Sequence, residues 1–401
     1  MSPSRRNQIA VTAVAFVGFT AYTLVMPFLA LYVRDLGVTR DADIALWTGL
    51  ALGVTPLITA LCAPFWGRIG DRYGNKILVQ RSLLSFIFVM LAMGYVTRPW
   101  HLVALRAIQG FVAGYGGLTI AMVATSVPRE RMAHAIGVVQ TAQRMGPAVG
   151  PIIGGVLVPL VGMRGSFSAA ALVYALALLM ITTMYVEPLR REAGTRRSGS
   201  IRFGNVLAFE NFVLLMAVIF CLQLVDRSFG PILALHLEEL GYVQLSIVSG
   251  ILFSVLAVSG ALGHQLAATL LKTQSPRAVI AGSALAGAVG MGVFAAAGAL
   301  WLLLPAMAVI GLALGTAMTA AFSAAGAVIP EDAHGVSFGF LTSASLIGSA
   351  ISPVLSGLVV GHSFRVVFVT AAITLAALAI AVRRVMVERA PTVEQTPVLE
   401  D

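Results

Sequence analysis

The sequence predicts an all-α membrane protein, with twelve transmembrane helices arranged as two pseudo-symmetric six-helix bundles. Three observations carry that expectation. Of the 401 residues, 58% are hydrophobic and only 11% charged, whereas a soluble domain carries about 25% charged residues. So few charges would not cover the surface of a water-soluble core of this size. The basic residues lie in short segments between apolar runs and favour one side of the membrane. Finally, two separate sequence patterns recur at nearly one offset along the chain.

The first apolar run follows Arg5 and Arg6 and extends from Ile9 to Val33. It is longer than the roughly 7–15 residues of a signal-peptide core, so it reads as an uncleaved first span. A span needs about 20 mainly apolar residues. On that measure the first half holds helices at 8–33, 45–66, 78–97, 101–124, 134–160 and 165–186. A polar, basic stretch from Glu187 to Arg202 interrupts the pattern. Six more helices fall at 208–236, 246–270, 277–297, 300–326, 335–361 and 363–384. The expected organisation is an N-terminal bundle (1–186), a cytoplasmic linker (187–207), a C-terminal bundle (208–386) and a disordered polar tail (387–401).

Lys and Arg set the orientation. With the N-terminus in the cytoplasm, 18 of the 26 fall on the cytoplasmic side and five outside. Three, Arg106, Arg144 and Arg227, lie within spans. This asymmetry fits the positive-inside rule with both termini cytoplasmic and an even number of spans. The net charge of +9 is then a matter of topology and gives no reason to expect a nucleic-acid partner. The expected location is the bacterial cytoplasmic membrane, with the lipid bilayer as solvent and a monomer as the working unit. Cys62 and Cys221 lie in apolar runs and show neither zinc spacing nor a disulfide framework.

The halves repeat. Pro27-Phe28-Leu29-Ala30-Leu31-Tyr32, followed by Arg34-Asp35-Leu36-Gly37, matches Pro231-Ile232-Leu233-Ala234-Leu235-His236, followed by Glu238-Glu239-Leu240-Gly241, at an offset of 204. Gly137, Gly146, Pro151 and Gly155 match Gly339, Gly348, Pro353 and Gly357 at an offset of 202. Parallel six-span repeats with a midplane site between them are characteristic of one large class of secondary transporters.

Three motifs sharpen this. After the second span the chain reads Gly67-Arg68-Ile69-Gly70-Asp71-Arg72-Tyr73-Gly74-Asn75-Lys76, a tight turn in which Gly67, Gly70 and Gly74 permit close approach or positive φ. The fourth span contains Arg106-Ala107-Ile108-Gln109-Gly110, and an arginine inside a span faces protein or a water-filled cavity. The fifth span reads Gly146-Pro147-Ala148-Val149-Gly150-Pro151-Ile152-Ile153-Gly154-Gly155. Its small residues recur at the spacing that lets helices touch, and its prolines remove helix donors and bend the span.

Together these motifs resemble those of the major facilitator superfamily, and the fifth-span pattern is similar to the antiporter motif of its twelve-span drug–proton antiporter branch. The resemblance covers the whole chain. It implies export of amphiphilic drug-like molecules in exchange for protons by alternating access. The loop at Gly67, Gly70, Asp71, Arg72, Gly74 and Lys76 would lock one conformation, with Glu130 joining its charge cluster. Arg106 would take part in proton transfer. The equivalent stretch of the second half, Gly263-His264-Gln265 to Lys272, lacks the acidic residue.

Asp226 is the one carboxylate well inside a predicted span. Burial favours its neutral form and a nearby arginine its charged form, so it is the expected proton carrier. Residues adjacent in a helix do not face each other, which makes Arg227 the least expected partner. Asp35 and Glu239 read as interfacial, and His236 and His264 as hydrogen-bonded packing residues. The family fold implies a cavity lined by spans 1, 4, 5, 7, 8, 10 and 11, with Tyr22, Met26, Gln140, Gln143, Arg144, Gln223, Phe253, Phe322 and Phe338 as candidates. Three intramembrane arginines against one aspartate suit neutral or anionic cargo. An exporter of a specific metabolite, a sugar or siderophore, keeps the same fold, and a proton symporter fits the fifth-span motif less well. An enzyme would need clustered catalytic or metal-ligating residues, but the six histidines are scattered at 101, 134, 236, 264, 334 and 362. No metal or cofactor is expected.

Overall fold

The computed structural model describes residues 3–127, 129–187, 209, 211–329, 334–360 and 363–387. The expected tail and most of the expected linker lie outside these residues. In the first half the helices are α1 (Pro3–Val25), α2 (Leu29–Asp35), α3 (Asp41–Tyr73), α4 (Asn75–Gly94), α5 (Pro99–Phe111), α6 (Tyr115–Ser126) and α7 (Arg129–Met184). In the second they are α8 (Phe212–Arg227), α9 (Leu233–Glu239), α10 (Leu245–Leu270), α11 (Pro276–Ala296), α12 (Leu300–Val328), α13 (His334–Val359) and α14 (Phe364–Val385). Among the described residues, ten stretches are individually long and apolar enough to cross a membrane.

The described residues make twelve crossings, because one of the ten stretches holds two and one further crossing, broken in the middle, is not among the ten. The stretch His134–Met184 holds two crossings that run on from one another within α7, with non-helical backbone only at Gly162 (φ 72°, ψ 175°). Before the break, Gly146 and Gly154 lie against Phe19 and Leu24 of α1. After it, Val186 meets Asn7 at the start of α1, so the chain has reversed. The seventh crossing is α8 and α9 in series, the two joined by a turn at residues 228–232 that contains Pro231.

Proline and glycine break three crossings at places where hydropathy alone shows no interruption. The first changes to a 3₁₀ turn at Met26–Phe28, around Pro27. The seventh breaks at the repeat-equivalent Pro231. The fourth opens at residues 112–114, where Gly114 has φ 119°, and the freed carbonyls find side-chain donors. The Trp66 indole donates to Phe111 O at 2.5 Å. Arg81 and Ser82 donate to Val112 O at 2.8 and 2.9 Å, and the Arg81 guanidinium lies 3.4 Å from the Trp66 ring centre.

The loop expected after the second span is mostly helix. Gly67 and Gly70 fall inside α3, which runs to Tyr73, and only Gly74 takes positive φ (94°). The α4 segment begins immediately beyond it, so a single left-handed glycine is enough to make the turn. Lys76 ties the turn to the end of α7 by donating to Tyr185 O at 2.7 Å and Thr182 O at 3.3 Å. The side chains of Asp71, Arg72 and Glu130 lie outside the described residues.

The sequence repeat is also a repeat of contacts. Asn7 clamps Val186 with two hydrogen bonds, Nδ2 to the carbonyl (2.6 Å) and the backbone N–H to Oδ1 (3.0 Å). Asn211, 204 positions later, clamps Val387 in the same way at 2.8 and 2.9 Å. Between the halves, α7 packs on α10 and α13 on α3 as equivalent pairs. Gly155 approaches Ser246 as Gly357 approaches Ala45, and Gly250 meets the Pro151 carbonyl as Gly49 meets that of Pro353. These four glycines let the backbones close on each other.

Candidate functional site

Between the halves lies a cavity of about 1010 Å³. Its deep end reaches Pro27, Pro151 and Pro353, next to the glycine contacts that seal the halves together. Its mouth reaches Trp66, Asn75, Ala121 and Phe322, on the face that carries the Gly74 turn and the Asn7–Val186 clamp. The cavity therefore opens towards that face, and the opposite face is closed.

Six of the nine expected lining residues are on the wall: Tyr22, Met26, Arg144, Gln223, Phe253 and Phe322. The other three are not. Gln143 turns to α6, with Nε2 donating to Gly116 O (2.9 Å) and Thr119 Oγ1 (3.0 Å). Phe338 stacks against Phe322, the ring centres 6.4 Å apart and the planes at 10°. Gln140 is exposed on α7 outside the wall. In its place α3 contributes Leu52, Thr55, Pro56 and Thr59, although the second span is not among those the family fold implies. Tyr115 and His264 also join the wall. The His264 ring is held by a 2.6 Å contact from Nδ1 to Thr319 Oγ1.

Asp226 stands in the last turn of α8, facing the cavity. Its Oδ2 lies 3.2 Å from Arg227 Nε. This overturns the expectation that Arg227 would be its least suited partner. The rule against adjacent contacts belongs to helix interiors, and α8 ends at Arg227, where a long side chain can fold back beside its neighbour. Tyr22, the repeat equivalent of Asp226, lines the opposite wall.

Arg106 is fully buried in α5. Its Nε donates to Ala51 O (3.2 Å), Nη1 to Gln109 Oε1 (2.7 Å) and Nη2 to Met26 Sδ. The guanidinium lies 5.6 Å from the Tyr22 ring centre, just behind the cavity wall. The Arg-x-x-Gln spacing is explained by this geometry, because positions i and i+3 share a helix face.

The fifth-span motif is held between two neighbours. Gly146, Gly150 and Gly154 press on α1, where a Cβ at Gly154 would strike the Leu24 carbonyl oxygen and one at Gly146 would stand 2.6 Å from Phe19 Cβ. Gly155 and Pro151 meet α10 across the interface between halves. The helix continues through Pro147 and Pro151 without a break. Among the described residues no group of three or more His, Cys, Asp or Glu could hold a metal ion.

The Major Facilitator Superfamily model matches residues 11–342 and 215–401. The chain is 35% identical over 263 residues to the Multidrug resistance protein MdtG of Serratia proteamaculans (strain 568), covering 64% of this chain and 63% of that one. It is 35% identical over 277 residues to the MdtG of Escherichia fergusonii, covering 65% and 67%. The match thus spans somewhat under two thirds of the first of these relatives. Among solved structures, a bacterial homologue of the human lysosomal transporter Spinster, in an inward-facing and unoccupied conformation, superposes with a TM-score of 0.80 at 16% identity, covering 98% of this chain and all of that one. The human organic anion transporter MFSD10 (TETRAN) superposes with a TM-score of 0.69 at 18% identity, covering 95% and 100%. With its two repeated halves, its twelve crossings and this match over most of its length, the chain belongs to the Major Facilitator Superfamily.

Proposed function

We propose that the protein is a secondary transporter that exports amphiphilic drug-like molecules across the bacterial cytoplasmic membrane in exchange for protons. The observation that carries this reading is the cavity itself. It lies between the two repeated halves, is open at one face and sealed at the other, and has aromatic and methionine surfaces around Asp226, the one carboxylate among its described lining residues. Apolar, adaptable walls suit varied cargo. One carboxylate paired with a half-exposed arginine offers a place where proton and cargo exchange. The two halves would rock about this site to alternate its opening. The relatives named multidrug resistance proteins support the same direction of transport.

In this scheme both termini are cytoplasmic, so the described conformation opens inward. Asp226 carries the proton and Arg106 supports its transfer. The Gly74 turn, with Asp71 and Arg72, stabilises the alternate state, and one chain is sufficient for transport. The test is proton movement in liposomes that hold a pH-sensitive dye, driven by an imposed gradient and a panel of amphiphilic drugs. Wild-type protein is expected to move protons when drug is added, and Asp226→Asn to abolish that movement. Coupling that survives Asp226→Asn overturns the assignment of the proton. No drug-triggered movement in the wild type overturns the multidrug reading in favour of a narrow exporter or another ion.

A further inference from the structure

On the outer surface of the second half, α10 and α11 both pack on α12. A Cβ at Gly263 of α10 would stand 2.3 Å from the Leu312 carbonyl oxygen, and one at Gly290 of α11 would stand 2.9 Å from Ile310 Cγ1. Among the described residues no hydrogen bond joins α10 to α11. Between them runs a groove of about 260 Å³, floored by α12, which shares no lining residue with the central cavity. Leu266 and Leu270 form its α10 side, and Ala278, Gly282 and Ala286 its α11 side. Those three small residues recur at i, i+4 on one helix face, a row about 12 Å long at about 1.5 Å per residue. Gly282 is exposed, and a Cβ there would meet nothing within 4 Å. The edges of the groove, at Leu266 and Val309, are exposed on the lipid-facing surface, as are Leu262 and Leu285 nearby. The first half differs at the equivalent pair of helices, where Trp66 of α3 and Arg81 of α4 stack on each other. The positions 204 residues later hold Leu270 and Leu285.

One end of the groove is basic. Gln274 and Ala278 line that end, and Lys272 and Arg277 flank them in the turn between α10 and α11. Neither cation pairs with a carboxylate among the described residues. The turn is the repeat equivalent of the Gly74 turn, so it lies at the membrane surface on the face of the cavity mouth. We propose that the groove binds an anionic phospholipid, with one acyl chain lying between α10 and α11 and the phosphate headgroup on Lys272 and Arg277. An unfilled groove of this kind forfeits dispersion contacts along its whole lining, and a hydrocarbon chain restores them. Basic pockets between membrane helices hold anionic headgroups at the bilayer surface. The bound chain ties α11 to α10, and α10 is the helix whose Gly250 meets Pro151 across the two halves. The site stands whatever the cargo and the direction of transport.

Native mass spectrometry of the delipidated full-length protein tests it, with phosphatidylglycerol and phosphatidylcholine of identical chains titrated in detergent. Wild type is expected to take up a first phosphatidylglycerol about 30-fold more tightly than phosphatidylcholine, roughly fivefold for each basic residue facing an anionic lipid. Replacing both cations, Lys272→Gln with Arg277→Gln, is expected to erase the headgroup preference and leave phosphatidylcholine binding unchanged. Gly282→Phe is expected to fill the groove and weaken uptake of both lipids. Gly292→Phe is the control, on the same helix outside the groove, where a Cβ also meets nothing within 4 Å; it is expected to bind both lipids as wild type does. Equal affinity for the two lipids in wild type, or a preference that survives loss of both cations, overturns the proposal. So does wild-type uptake in Gly282→Phe, or a loss in Gly292→Phe as large as that in Gly282→Phe.

Discussion

Arg106 poses the energetic question most sharply, because it is the largest of the fully buried side chains. Replacing a buried charge by an apolar side chain of similar size is often neutral or stabilising. If Arg106 were retained only to brace the helices, its loss would lower stability. If it is retained for its charge, Arg106→Met should leave the melting temperature in detergent unchanged or raised while drug-coupled proton movement disappears. A large fall in melting temperature with residual transport would make it a brace. Arg106→Lys should fail as well, since an ammonium cannot reach three partners held in a planar fork. Much of this site was legible from sequence spacing. Arg106 and Gln109 are one helical turn apart, and the matched position of Asp226 and Tyr22 follows from the repeat. The turn of Gln143 towards α6 was not legible, because the rotation of a helix is fixed by packing against its neighbours. Trp66 and Arg81 were missed for a different reason. Their partners are carbonyls released at Gly114, and hydropathy carries no trace of an unwound turn.

Helices and their contacts separate stability from conformational choice, and the fifth crossing shows how. Gly154 presses on α1 within one half, whereas Gly155 presses on α10 across the two halves. Overpacking within a well-packed contact costs about 1–3 kcal/mol. Gly154→Ala should therefore lower the melting temperature in either conformation, because its Cβ would meet the Leu24 carbonyl whichever way the halves rock. Gly155→Ala should barely change the melting temperature and should instead disfavour the state in which α7 and α10 are closed. Accessibility of the far face to a membrane-impermeant thiol reagent would report that shift, and equal melting losses for both variants would contradict it. Hydropathy placed every crossing at the right part of the chain, since length and apolarity are set by the bilayer. It was less informative about ends. The second helix runs on to Tyr73 because Gly74 alone makes the turn, and the fifth and sixth crossings are two helices that meet directly at Gly162, the one non-helical residue between them. Such details depend on single backbone angles.

The whole molecule is organised about an approximate two-fold axis, and one ion pair sits where the repeat brings equivalent positions together. Arg34 and Glu238 are 204 residues apart, the offset of the repeat itself, and Arg34 Nη1 lies 2.5 Å from Glu238 Oε2. The same position therefore carries opposite charges in the two halves and joins them at the closed face. Arg34 also reaches Asp41, at 3.4 Å. Both members of the pair are partly exposed, 33% and 44%, and exposed pairs contribute about 0–1 kcal/mol. That is too little to hold a fold together, but with about 1.4 kcal/mol per tenfold, 1 kcal/mol is still about a fivefold shift between two states close in energy. Arg34→Glu removes the attraction and sets like charges against each other, so it should open the closed face without unfolding either half. Combining it with Glu238→Arg should restore closure. Spin labels on Val38→Cys and Val243→Cys, in a background with Cys62→Ser and Cys221→Ser, would read the separation across that face. The single charge reversal should add a longer distance to the distribution, the double reversal should remove it, and added salt should weaken both effects by screening. A distribution that ignores all three changes would mean that the glycine contacts at α3–α13 and α7–α10 close this face unaided, and that the ion pair follows closure without influencing it.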